Sequence, residues 1–177
     1  MKLLSFIPAA AILATAALAF AQSPAATETT TINGKTITIT YSSPNVNGRE
    51  GKIFSKGGLV SNDRTYPVWR AGANSATKFH TDGDLKIGSL AVPKGDYTLF
   101  VDISDPAKWQ LVINKQTGQW GLTYDKGQDL GRVPMQMSKP SSLAENLKYT
   151  LAKEGGNKAR LTLEWENVRA SVPVVVQ

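Results

Sequence analysis

Cysteine is missing from the 177-residue chain, and histidine occurs once, at His80. The first absence excludes disulfides, thiol nucleophiles and thiolate metal sites. It poses no stability problem, because a domain of about 150 residues hides roughly 70% of its unfolded surface without staples. The second absence leaves His80, in "TKFHTDGD", as the sole imidazole, with Asp82 and Asp84 as the nearest acids. A metal site needs further ligands converging on it, and a Ser-His-Asp triad needs a buried acid and a marked nucleophile. His80 is therefore read as a solvated strand-end residue sharing a face with Lys78 and Asp82, and no metal or cofactor is expected. Phosphate-cradling loops are absent too: "KGDYTL" and "FSKGGLVS" lack the spacing and the strand-to-helix context.

Long apolar runs are confined to the start. "MKLLSFIPAAAILATAALAFAQ" has one cation, Lys2, an apolar stretch from Leu3 to Leu18 and small residues around Ala21. It reads as a signal peptide, residues 1–21, cleaved after Ala21. Pro8 and the short apolar core argue against a permanent anchor, since spanning a bilayer takes about 20 apolar residues. No later stretch is long enough to span, so a periplasmic or secreted protein without a membrane span is expected. Acids are the scarcer charge, 14 against 20 Lys and Arg. The basic residues are dispersed, however, and a nucleic-acid binder gathers them into one stripe with aromatic partners. No nucleic-acid partner is expected.

Helical periodicity is also scarce. Only Ser141 to Asn146, "SSLAEN", carries a cap-like spacing, enough for one turn. Residues 22–31, "QSPAATETTT", read as a flexible lead-in, and residues 32–177 as one domain. Its signal is period two. Ile37, Ile39 and Tyr41 alternate with threonines behind Asn33-Gly34, a hairpin turn pair. The same alternation recurs at Val133, Met135 and Met137; at Leu147, Tyr149 and Leu151; from Ala159 to Trp165; and from Val168 to Val174. "YTLFVDI" (97–103) and "WQLVIN" (109–114) are apolar on both faces and belong inside a sheet. About nine antiparallel strands predict an all-β fold, a two-sheet β-sandwich, with a closed or partly open β-barrel as the alternative.

Two groups of residues raise the question of chemistry. Glu164 and Glu166 flank Trp165 and would lie about 6.7 Å apart on one strand face, near the carboxylate separation of inverting glycosidases. Those pairs face each other across a cleft, so the expectation here is two carboxylates on the solvent side of an outer strand. Tryptophan is more informative. Trp109 and Trp165 alternate with aliphatic residues and belong to the core, whereas Trp69 and Trp120 lie beside turn residues, in "VWRAGAN" and "TGQWGL". Indole faces stack on rings and sugars, while Arg70 and Asn74 supply directional donors. Trp69, Arg70, Asn74 and Trp120 form the candidate ligand-binding set. The competing reading makes Arg70 an internal tie to loop carbonyls and Asn74 a bend cap.

The order of "YSSPNVNGR" (41–49), "KIFSKGGLV" (52–60), "VWRAGANSAT" (68–77), "VPKGDYTLF" (92–100), "WQLVINKQTGQWG" (109–121) and "LTLEWENVRASVPV" (161–174) resembles the exported bacterial family called domain of unknown function 2911. The resemblance implies an envelope or secreted β-rich protein with no established activity. After "GGLV", where family members tend to carry a short Pro-Tyr-Gly-Lys link, this chain has "SNDRTYP". The expected function is a non-enzymatic domain binding a small molecule, glycan or envelope component. Its alternatives are a hydrolase of glycan or cell-wall material using a carboxylate such as Glu166 or Asp102, and a structural or interaction module of the envelope.

Overall fold

Threonine-rich and aliphatic segments of period two account for nearly all of the regular structure. The computed structural model describes residues 22–177; residues 1–21, the expected signal peptide, lie outside the described residues. The strands in chain order are β1 (Ala25–Ile32), β2 (Lys35–Ser42), β3 (Val68–Trp69), β4 (Thr77–Thr81), β5 (Leu85–Ile87), β6 (Leu90–Val92) and β7 (Gly95–Asp102). They continue as β8 (Gln110–Asn114), β9 (Asp129–Pro134), β10 (Gln136–Ser138), β11 (Ala144–Gly155), β12 (Lys158–Glu166) and β13 (Val168–Val176). One antiparallel sheet has the order β1-β2-β4-β7-β8-β9 with β3 on β7; the other has β11-β12-β13-β5-β6 with β10 on β13. Neither closes on itself, so the fold is the two-sheet sandwich and not the barrel. Among the described residues no helix is long and apolar enough to cross a membrane.

Two local expectations are corrected. The lead-in 22–31 is not free chain from Ala25 onward: β1 pairs with β2 through all eight positions, from Ala25 opposite Ser42 to Ile32 opposite Lys35. β-Branched threonine suits a pleated strand as well as a polar linker, and Asn33 and Gly34, both at positive φ, supply the turn that sets the register. The single helical turn at 141–146 is likewise absent, since β11 begins at Ala144.

Both predicted interior strands are central. β7 and β8 put Leu99, Val101, Leu111 and Ile113 into the main core between the sheets. Their other face, Phe100 and Val112, packs with Val68, Ala76 and Tyr124 under the loop that follows β8. That second cover explains why their sequences do not alternate.

The free edge of β11 is sealed, which matters because an open edge templates aggregation. The Leu147 amide donates to the Pro44 carbonyl at 2.9 Å. Tyr149 donates to the Tyr41 hydroxyl at 3.2 Å and Leu151 to the Glu28 carboxylate at 2.9 Å. Three successive outward amides are thus satisfied by three groups from the opposite sheet and its flank. Tyr41→Phe keeps the ring packed edge-on against Tyr149 but orphans the buried Tyr149 amide. Chemical denaturation is expected to register a loss of about 1–3 kcal/mol; an unchanged midpoint would mean that the edge needs no such cap.

Candidate functional site

A cavity of about 390 Å³ lies where the two sheets meet the 44–74 segment. That volume falls in the range of roughly 300–1,000 Å³ typical of small-molecule sites. Its floor is core. Trp69 leaves β3 at 2% exposure and stacks on Trp165 of β12, with centroids 5.8 Å apart and planes at 14°. Phe54 meets both rings edge-on, at 5.3 and 5.7 Å, and Trp109 closes the cluster. Four large rings from four parts of the chain fix this wall, because aromatic pairs add to the area they bury.

The chain turns immediately after Trp69. Ala71 and Asn74 both take positive φ, 49° and 57°, a conformation costly for residues with a Cβ unless their surroundings hold it. The Ala71 carbonyl is held twice, by the Tyr149 hydroxyl at 2.9 Å and the Thr77 hydroxyl at 3.1 Å. Burial pushes the Tyr149 phenol far above its ordinary pKa, with Tyr41 adding to the rise and Thr77 opposing it. It stays a donor. Asn74 accepts from the Gly121 amide at 3.1 Å, and Ala76 donates to Gln119 at 3.2 Å. These bonds stitch the 119–121 loop to the corner and set Trp120, 52% exposed, at the cavity rim. Gly121 is required there: a Cβ would meet the Asn74 carbonyl at 2.5 Å and the Arg70 side chain closer still.

Trp69, Arg70, Asn74 and Trp120 all line this one cavity. Sequence reasoning missed three of its other members. Asp63 follows a 3-10 turn at Val60–Asn62; Arg49 is already committed to the Val46 and Asn45 carbonyls; Trp165 serves as core and lining at once. Nothing in "SNDRTYP" marks Asp63 as the acid that reaches Arg70.

Arg70 is not tied to loop carbonyls. Among the described residues its partner is Asp63, both carboxylate oxygens lying 3.4 Å from Nη2. Its Nε is buried with no acceptor, as is Nε1 of Trp165. Arg132 shows what a structural arginine looks like in the same molecule. It donates through Nε and Nη2 to Asp129, through Nη2 to Tyr124 at 2.6 Å, and through Nη1 to Asp102. The pKa directions agree. Burial opposes ionisation of Asp102, but the amide and hydroxyl of Ser104 and the Arg132 guanidinium outweigh it and lower its pKa. For Asp63 burial wins, and Arg70 offsets it only in part.

The other candidates are dispersed. Glu164 stands on the outer face of β12, but it and Glu166 are covered, at 9% and 6% exposure. Lys148 and Arg169 cover Glu164, at 2.7 and 3.4 Å, while Glu166 accepts from the Gly51 amide. Glu164 lines a shallow groove of about 620 Å³ on the outside of the second sheet, beside an Arg160–Glu154 pair at 2.6 Å. Asp102 belongs to the Arg132 network. His80 pairs with Asp96 at 2.8 Å on an exposed strand face, while Asp82 accepts from the Thr36 amide and Asp84 from that of Lys94. No three His, Cys, Asp or Glu among the described residues are grouped to hold a metal.

A family model described as "Protein of unknown function (DUF2911)" matches residues 23–174. No curated protein and no solved structure matches the chain.

Two outcomes separate the arginines and their acids. Arg70→Ala is expected to cost about 1 kcal/mol in a denaturation experiment, because it strands a single acid across a long pair and also removes its own unsatisfied Nε. Arg132→Ala is expected to cost about 2–3 kcal/mol, because it strands the buried Asp102 and Asp129. Comparable losses would make Arg70 a tie. In an NMR titration Asp102 is expected below the ordinary value of about 3.9 and Asp63 above it. The stability from Asp102 is full above that ordinary value and lost as pH falls through its lowered pKa. The penalty from Asp63 is full above its raised pKa and relieved as pH falls below the ordinary value.

Proposed function

The chain belongs to the DUF2911 family, and from that premise we propose that it is an exported, non-enzymatic binding module for a small ligand rich in hydrogen-bond acceptors. The ligand seats over the buried Trp69 and against the exposed Trp120, with Arg70 fixing its orientation, while the Asn74 amide donates to the Ser23 carbonyl and the Ser42 hydroxyl at 3.4 Å and shapes the rim. One observation carries this reading: a largely buried arginine lines a concave, indole-walled cavity with most of its donors unused. A buried donor without an acceptor costs about 1–3 kcal/mol, and native proteins retain few of them. Nε itself is closed to the cavity, so a ligand oxygen is received by the Nη atoms, whose one partner is the 3.4 Å Asp63 carboxylate. Arginine is also donor-only, which selects acceptors: carboxylate, phosphate, carbonyl or sugar oxygen. Charge within the cavity pairs Arg70 with a carboxylate and not one carboxylate with another, which suits recognition rather than glycosidic chemistry. Export rests on the N-terminal segment 1–21.

A thermal-shift screen of the purified protein against organic acids, amino acids, sugars and phosphate esters tests the reading. A ligand present at 100 times its Kd stabilises the folded state by about 2.7 kcal/mol. For a domain of this size that raises Tm by roughly 5–10 °C. The rise is expected to vanish in Arg70→Ala and to shrink in Trp120→Ala, with little change in the Tm of the unliganded variants. Shifts that survive both substitutions would place binding elsewhere.

A further inference from the structure

Building on that reading, we propose that the cavity takes a zwitterion of the amino-acid class, Arg70 receiving the carboxylate and Asp63 the ammonium, with an apolar substituent against the indoles. The two side chains are only 17% and 16% exposed, yet Nη2 stands 3.4 Å from the carboxylate. A charge-assisted hydrogen bond closes to about 2.7–2.9 Å. The pair is therefore loose, with one guanidinium nitrogen shared between two oxygens and the fork unused. A simple anion arriving at Arg70 would meet the like charge of Asp63, and a simple cation arriving at Asp63 would meet Arg70. A ligand whose own charges sit a few bonds apart cancels both and lets each protein group form a short bond.

The remaining lining fits the same class. Arg49, the third charged group of the cavity, donates to backbone carbonyls but keeps its charge, so the lining holds two cations that draw a carboxylate and one acid, Asp63, that takes an ammonium. Trp165 belongs to the lining as well, but its Nε1 is sealed from the cavity, so Arg70 is the donor that a carboxylate meets. Leu59, Val60 and Leu122 line it with the tryptophans, which leaves apolar surface for a side chain and little for a second charge. Asp63 is short of compensation for its burial, as the rise in its pKa shows; a ligand ammonium supplies that compensation.

Isothermal titration calorimetry of the purified protein with leucine and phenylalanine, each as both enantiomers, tests the proposal against N-acetylphenylalanine and phenylalaninamide. At least one zwitterion is expected to bind, and the two derivatives, which lack one charge each, at least about tenfold more weakly. Asp63→Asn is expected to bring the N-acetyl compound level with the zwitterion, and melting curves confirm that the variant folds. N-acetylphenylalanine binding the unaltered protein as tightly as phenylalanine would overturn the proposal in favour of a plain anion site. The proposal also falls if no amino acid binds while another compound of the screen does so through Arg70; the binding reading then stands. If nothing binds, both fall.

Discussion

The hydrogen bond from the Tyr149 hydroxyl to the Ala71 carbonyl is the constraint on which the corner, and with it the cavity, depends. Tyr149 sits on the edge strand of one sheet and Ala71 directly after a strand of the other, so the bond crosses the sandwich. It fixes an alanine in a conformation that alanine avoids, and that reversal turns the chain after Arg70 so that Gly72, Ala73 and Asn74 continue the cavity wall. The Tyr149 ring is itself held by Tyr41, whose hydroxyl accepts the Tyr149 amide. Edge sealing and site building therefore use the same two tyrosines. Because burial keeps the phenol protonated, the constraint is insensitive to pH across the range in which the surface carboxylates titrate.

Arg70 and Arg132 are chemically identical and do different work, and the difference lies in which backbone surrounds them. Arg132 projects from β9 into Asp129 of the same strand, Asp102 of β7 across β8, and the Tyr124 phenol of the loop over them. Arg70 projects from an irregular corner whose hydrogen bonds are made by its peptide groups, so its side chain is left with a single distant partner. A sheet supplies cross-strand neighbours on both sides; a corner does not. Under-satisfied side chains accordingly collect at sandwich ends, where loops position function on a rigid scaffold.

Much of the fold was legible because its signal is local. Alternation identified β2, β11, β12 and β13, and the non-alternating runs 97–103 and 109–114 marked strands covered on both faces. β1 escaped because "TETTT" has the composition of a linker, and only its pairing with β2 makes it a strand. The Glu164 and Glu166 pair escaped for a related reason. Their faces were read as solvent, but Lys148 and Arg169 arrive from adjacent strands to cover one, and the Gly51 amide arrives from 115 residues away to engage the other. For the site, the four residues around "VWRAGAN" and "TGQWG" were visible as a group. Asp63 was not, since nothing in a single sequence says which acid a loop will carry to a given arginine.

The cavity divides between core and loop. Trp69 and Trp165 are locked into the aromatic cluster at 2% exposure each, so the floor beneath it is fixed. Asp63 and Trp120 belong to loop segments, joined to the rigid part through one long ion pair and a few backbone bonds. The rim is held more loosely than that floor, and the 3.4 Å Arg70–Asp63 pair lies in it. Because floor and rim are carried by different segments, substituting Asp63 is expected to alter the charge of the rim without disturbing the aromatic cluster beneath it.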